Sequence, residues 1–312
     1  VKNSLKYKIL NKIRESDDMQ AILILAHKNI KQIIDLSMIL NKKFILFIHF
    51  DRKYKISAED RKKLEKVKNV YVYSEIDVNW GGFSIGEAEL FLLKKAMKNK
   101  NITYFHIISG QDWPIKNIEE IYNFYENNDK IYMTYKLSKG VKKSGEPIIL
   151  WQKYYFNYDK INRRSFLGKI YHRFLMIYQT IRGINKFKDL NINLDIYQGS
   201  QWMALPRYAV EYCLNYLKQH NNYYLMLKTG FCSDEVLFQT ILCNSIYKTK
   251  IEDNNHRYIK WKKKYNNYPA ILDEKDYKEI ISGDYHFARK IDKDISNQLI
   301  DMLNEKNKKA KI

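Results

Sequence analysis

The sequence predicts an α/β fold with a mainly parallel central sheet flanked by helices. Three observations carry this. Short continuous apolar runs recur at "QAILILAH" (20–27), "KFILFIHFD" (43–51), "NVYVYS" (69–74) and "ITYFHIIS" (102–109). A segment with helical spacing of apolar residues separates each run from the next. Uninterrupted apolar strands, rather than alternating ones, belong to sheets buried on both faces, and strand–helix alternation with short connections makes those strands parallel.

The elements follow in order. "KNIKQIIDLSMILN" (28–41) is a helix, and "SAEDRKKLEKV" (57–67) is a short one opened by a Ser-x-x-Asp cap. "SIGEAELFLLKKAMKN" (84–99) is strongly amphipathic, "NIEEIYNFYEN" (117–127) is helical and "KIYMTYK" (130–136) reads as a strand. Residues 137–195 are less regular, with a helical, basic stretch "FLGKIYHRFLMIYQTIRGI". Strand "SQWMALP" (200–206), helices "RYAVEYCLNYLKQ" and "SDEVLFQTILCNS" (233–245), strand "HRYIKW" (256–261) and helices "DEKDYKEIIS" and "ISNQLIDMLNEKN" complete the chain. No internal repeat or low-complexity linker marks a domain boundary.

The 312 residues, 45% apolar, suffice for one large α/β unit. The 55 Lys and Arg against 35 Asp and Glu give a formal charge of +20, a field that attracts nucleic acid, an anionic membrane face or phosphorylated substrates. Cys213, Cys232 and Cys243 are odd in number and form no CxxC pair, which argues against a disulfide framework or zinc site and fits a reducing, cytosolic compartment. No segment has the roughly 18 apolar residues of a membrane span. Walker, GxGxxG and HExxH motifs are absent, which argues against P-loop, dinucleotide and zincin chemistry.

Parallel sheets bind ligands beyond the carboxyl ends of their strands, which singles out His27, Asp51 and "SGQDWP" (109–114) with Asp112. Asp112 reads either as a ligand-facing acid or as an Asx-turn ahead of Pro114. Gly81 and Gly82, between a strand and a helix, allow a positive-φ turn or close approach of a ligand. In "GSQWMALPR", Trp202 suits sugar stacking or a core. Arg289 and Lys290 of "HFARKID", and Arg257 of "NNHRYIKW", are able to hold a diphosphate or simply face water. Asp234 and Glu235 of "GFCSDEVLFQ" read as first-turn acids behind an Ser233 N-cap, with Glu235 also a candidate base. The one Asp-x-Asp, "DKD" (292–294), stands where capping acids stand, so no metal is expected.

In chain order, "LAHKN", "IHFDRK", "WGGFSIGEAEL", "YFHIISGQDWPIK", "GSQWMALPR", "SDEVLFQTIL", "DNNHRYIKW" and "HFARKID" resemble the core-2/I-branching β-1,6-N-acetylglucosaminyltransferases and peptide O-xylosyltransferases, glycosyltransferase family 14. The likeness runs from about Gln20 to about Asp292. It implies a GT-A-type fold, a UDP-sugar donor carrying GlcNAc or xylose, inversion at the anomeric carbon and no metal. It maps the catalytic base onto Glu235, and the diphosphate-binding cations onto Arg289 and Lys290, with Arg257 a third. His27 and Asp51 fall on the uridine side. Gly81, Gly82, Asp112, Trp113, Gly199, Ser200, Gln201, Trp202 and Asp234 flank sugar and acceptor.

The animal enzymes carry an anchor and many Cys; this chain has neither, so a microbial-type, cytosolic member is expected. A glycan or lipid-linked saccharide is the expected acceptor, with peripheral contact at an anionic inner membrane face and no nucleic acid. The expected organisation is an extension (1–19), one catalytic domain (20–292; nucleotide half 20–136, acceptor half 137–292), and a C-terminal helix with a basic tail (293–312). The competing class is a basic α/β binding module that docks nucleic acid or an anionic surface without chemistry.

Overall fold

The computed structural model describes residues 18–143 and 145–309. The expected extension lies outside these residues apart from Asp18 and Met19, as does the tail beyond residue 309.

The strands are β1 (Met19–Ala26), β2 (Ile45–Phe50), β3 (Val70–Tyr73), β4 (Ile102–Ser109), β5 (Trp113–Pro114), β6 (Ile131–Tyr132), β7 (Lys136–Leu137), β8 (Lys142–Lys143), β9 (Glu146–Pro147), β10 (Tyr197–Gln198), β11 (Met203–Pro206), β12 (Ile251–Glu252), β13 (Arg257–Ile259) and β14 (Phe287–Arg289). The helices are α1 (Ile30–Leu40), α2 (Ala58–Glu65), α3 (Ser84–Ala96), α4 (Ile118–Tyr125), α5 (Ile149–Lys153), α6 (Phe166–Ile181), α7 (Lys186–Asp189), α8 (Arg207–Gln219), α9 (Asn221–Lys228), α10 (Leu237–Cys243), α11 (Tyr277–Ile281) and α12 (Lys293–Lys309).

Seven strands form the central sheet in the order β12-β6-β11-β4-β1-β2-β3. β4, β1, β2 and β3 are mutually parallel, β12 is parallel to β6, and β11 runs antiparallel between β4 and β6. This is the α/β, mainly parallel arrangement that the apolar runs predict. Alternate side chains serve opposite faces. Leu23, Phe47, Phe105 and Ile107 pack against α3, α8 and α10 through Leu93, Val210 and Phe238. Ile22, Ile48, Tyr104 and Ile108 pack against α1, α4 and α12 through Leu36, Ile121 and Leu303. Each such fully buried side chain contributes about 2 kcal/mol.

Caps hold the helix starts. Ser57 Oγ accepts from Asp60 N at 3.0 Å, as the Ser-x-x-Asp pattern predicts. α3 has no cap of its own. The Asp159 carboxylate, from a distant loop, accepts from Phe83 N at 3.0 Å and Ser84 N at 3.1 Å instead.

Four expected elements are shorter or broken. The strand over 130–136 is only β6, followed by β7, because Tyr135 N donates to the Asp253 carboxylate at 3.1 Å instead of to a neighbouring strand. The strand over 200–206 begins only at Met203, since Trp202 N bonds back to Ser200 Oγ. "HRYIKW" yields three ladder residues, following His256 at φ 49°. The helix over 233–245 splits into a 3₁₀ turn, Ser233–Glu235, and α10, with Val236 at φ −121° between them. Ser233 makes no cap: its hydroxyl donates to Gln152 Oε1 at 3.2 Å, and the turn is entered through Cys232 at φ 51°. The helix-dipole argument for Asp234 and Glu235 falls with it, because the α-helix starts only at Leu237.

Candidate active site

A second, three-stranded sheet, β13-β14-β5, stands past the carboxyl ends of β1 and β4 and assembles the basic pole of the site. β14 delivers Arg289, followed by Lys290, and β13 delivers Arg257. The turn after β4 holds Asp112, fully buried, whose Oδ2 accepts from Ser109 N at 2.7 Å and Ser109 Oγ at 2.5 Å, and from Arg289 Nη1 at 3.5 Å. The carboxylate thus closes back onto Ser109 rather than forward as an Asx-turn ahead of Pro114, and it also pairs with Arg289. The Arg289 guanidinium lies 4.1 Å from the centre of the Trp202 ring, a cation–π contact.

Lys290 is half-buried, and its ammonium has no hydrogen-bond or ion-pair partner among the described residues. Desolvation first, then Arg289, Arg164 and Lys28, push its pKa down to about 8. His27, past the end of β1, shares this field: partial burial and then Lys28 and Lys290 lower its pKa, while Asp51 opposes them. A cluster of cations with one buried carboxylate is electrostatically short of negative charge.

Arg257 belongs to the same cluster, and both it and Arg289 are buried. Arg257 stacks over Phe287 at 4.6 Å and donates to Asn255 O at 2.8 Å. Trp113 is buried too, with its indole N–H toward Asn304 Oδ1 at 3.4 Å, so its ring packs under α12 rather than along the cleft. Asp51 Oδ1 accepts from Lys53 N and Val78 N, both at 3.1 Å, which pins the loop after β3.

The acidic pole is built on the 3₁₀ turn. Glu235 is a quarter exposed and pairs with Lys143 Nζ at 3.0 Å, from the β8–β9 hairpin. Burial pulls the Lys143 ammonium down, but the charge and hydrogen bond of Glu235 carry its pKa above the ordinary value. Asp234 is buried, and desolvation followed by the Glu235 charge raises its pKa to about 7. Its Oδ1 has no partner among the described residues.

Glu89, on the inner face of α3, is buried as well; desolvation, then the charge of Asp234, push its pKa well up, against a 3.0 Å bond from Gln201 Nε2. The cluster therefore holds protons on its buried members and leaves Glu235 facing outward.

Residues Gly199–Trp202 join the two poles. Gly199 N donates to the Glu235 carbonyl at 2.8 Å, Gln201 binds Glu89, and the Trp202 ring lies beneath Arg289. A Cβ at Gly199 would stand 1.7 Å from Thr134 O, so only glycine lets the two backbones meet. Gly81, at φ 81°, and Gly82 serve closure of a different kind. Their Cβ positions are filled by Phe231 and by the Asp159 carboxylate that caps α3, which accounts for both glycines without a ligand.

Sequence reasoning missed Glu89 and Lys143. Glu89 carried a signal: it stands on the apolar stripe of α3, one turn before Leu93, where a charge has no solvent to face. Lys143 carried none among so many lysines.

One cluster among the described residues has metal-ligand chemistry: His256, Asp284 and His286. The two imidazoles stack with centroids 4.4 Å apart and planes 10° from parallel. Imidazole lone pairs lie in the ring plane, so stacked rings do not converge on one ion. Lys116 moreover occupies Asp284 at 2.7 Å. At the site itself, the position after β4 offers Asp112 alone, already bound to Ser109 and Arg289.

The model of the family described as "Branch: Core-2/I-Branching enzyme" matches residues 21–281. The chain belongs to the Core-2/I-branching enzyme family. No curated protein matches it significantly. Among solved structures, S. aureus TarS residues 1–349 in complex with UDP-GlcNAc matches at 18% identity and a TM-score of 0.29, over 40% of this chain and 38% of that one. The matched part is thus well under half of TarS, and at that score the likeness carries no argument about activity. No described helix is long and apolar enough to cross a membrane.

Proposed function

We propose that the protein transfers a sugar, GlcNAc or xylose, from a UDP-sugar to a hydroxyl of a glycan or lipid-linked saccharide, with inversion and without a metal. Residues 20–292 act as one catalytic unit in this reading. The observation that carries it is the unpartnered Lys290 beside Arg289, joined through Gly199–Trp202 to an outward-facing Glu235.

The acceptor hydroxyl gives its proton to the Glu235 carboxylate as its oxygen attacks the anomeric carbon. The bond from that carbon to the diphosphate oxygen breaks on the opposite face, and its electron pair leaves with UDP. Arg289 and Lys290 neutralise the charge that grows there, the service a divalent cation performs elsewhere. Asp112 keeps Arg289 aimed, and Lys143 orients Glu235. Protons held on Glu89 and Asp234 limit the repulsion around Glu235.

The test is a thermal-shift titration with UDP in EDTA, repeated with Mn²⁺, then UDP release from UDP-GlcNAc and UDP-xylose. Saturation at 100 times Kd adds about 2.7 kcal/mol to stability. The reading expects the shift in EDTA and its retention in Glu235→Gln, with turnover lost. A shift that needs Mn²⁺ overturns the metal-free clamp. No shift in either buffer overturns the donor and leaves the anion-binding module.

A further inference from the structure

Helix α6 exposes an apolar face larger than the one it buries. Its inner face mixes Leu175 and Met176, packed on the Trp151–Phe231 cluster, with polar groups: His172 exchanges hydrogen bonds with Tyr158 OH at 2.5 Å and Glu146 at 3.0 Å. Gln179 likewise bonds both backbone groups of Tyr155. Its outer face is apolar. Phe166, Leu167, Phe174, Ile177, Tyr178 and Ile181 are each between 57% and 79% exposed. At about 100° per residue these six fall within one arc of about 120°.

A contiguous exposed apolar patch of this kind marks an interaction site. Charge decides what covers it. From Lys160 to Arg182 the chain carries Lys160, Arg163, Arg164, Lys169, Arg173 and Arg182 and no acid. On the helix, Arg173 and Arg182 flank the apolar arc on either side. Next to its start, exposed Trp80 lies under the Arg164 guanidinium at 4.3 Å, an amphipathic pair suited to a headgroup layer. A second copy of this face would set cations against cations with no acid to pair them. A bilayer bearing anionic headgroups supplies both the apolar interior and the opposite charge.

We propose that α6 lies in the surface of an anionic phospholipid bilayer, its apolar arc among the acyl chains and its flanking Arg and Lys on the headgroups. Arg164, in the loop before α6, also adds to the positive field at Lys290. The inference goes beyond the transfer chemistry, and flotation requires neither UDP nor Glu235, so the two readings fail separately.

The experiment is co-flotation of the full chain with phosphatidylcholine vesicles, with and without about one-third phosphatidylserine. The wild type is expected to float with the anionic vesicles and to be released as salt approaches about 1 M, where the Debye length shrinks to about 3 Å. Phe174→Glu/Ile177→Glu is expected to lose at least about tenfold in binding. Arg173→Gln/Arg182→Gln, which leaves the apolar face intact, should lose about fivefold per charge. Circular dichroism checks that each variant is folded. Failure of the wild type to float, equal flotation on pure phosphatidylcholine, or equal flotation of the variants overturns the inference. Self-association that the Glu variant abolishes, without flotation, assigns the face to a second copy and overturns it as well.

Discussion

Replacing Lys290 by Met should make the protein more stable and worse at binding UDP. The side chain sits half-buried among Arg289, Arg164 and Lys28, with its pKa pushed from the ordinary 10.5 to about 8. At about 1.4 kcal/mol per pH unit this is at most about 3 kcal/mol of strain on the charged form, and about 2 after allowance for solvent screening. For a chain of this length, 2 kcal/mol moves Tm by about 3 °C. The folded pKa lies below the unfolded one, so the cost is fully present below pH 8 and disappears as pH rises from 8 to 10.5.

Scanning calorimetry should therefore show Lys290→Met about 3 °C above wild type at pH 7, with the gap closing at pH 10. The UDP-induced shift should move the other way. Loss of one charge-assisted contact costs about 1.5–3 kcal/mol, or roughly 10- to 100-fold in Kd. A variant no more stable than wild type at pH 7 would refute the charge-strained cluster. An undiminished UDP shift would refute the assignment of that strain to the diphosphate.

Asp234→Asn should be more stable than wild type by on the order of 2 kcal/mol at pH 8 in urea melts. Its folded pKa, about 7, lies above the ordinary 3.8, so wild type loses stability as pH climbs between them and the gap should vanish at pH 4. Gly82→Ala places a Cβ 2.1 Å from Asp159 Oδ1, and lost capping plus strain should cost about 2 kcal/mol in a urea melt. Lys143→Met should lower turnover about 10- to 100-fold by releasing Glu235, while the UDP-induced thermal shift stays at its wild-type value.

The parallel half of the sheet was legible because strands covered on both faces have to be largely apolar, and β1, β2 and β4 are, with Gln20, His49 and His106 among the buried exceptions. The short strands were not. β5, β13 and β14 hold two or three residues each, and no periodicity is visible at that length. Arg289, Lys290, Asp112 and Trp202 could each be named from their motifs, but not the contacts of Asp112 and Trp202 with Arg289, since those span about 180 and about 90 residues of chain. The Ser233 cap failed for a local reason: the preceding residue adopts a left-handed conformation that only the surrounding loops impose. Glu89 was readable as a charge on an apolar stripe, and its meaning depended on the buried Asp234 near it.

The small sheet β13-β14-β5 has a consequence for synthesis. β5 leaves the ribosome early, yet its hydrogen-bonded neighbour β14 comes more than 170 residues later, and β14 carries Arg289. The large parallel sheet can begin to pair from the first hundred residues, since β1 to β4 need nothing further downstream to align. A nascent chain is thus a scaffold without an anion seat for most of its translation. The cation cluster is completed in one late step, when the last stretch threads back beside Trp113.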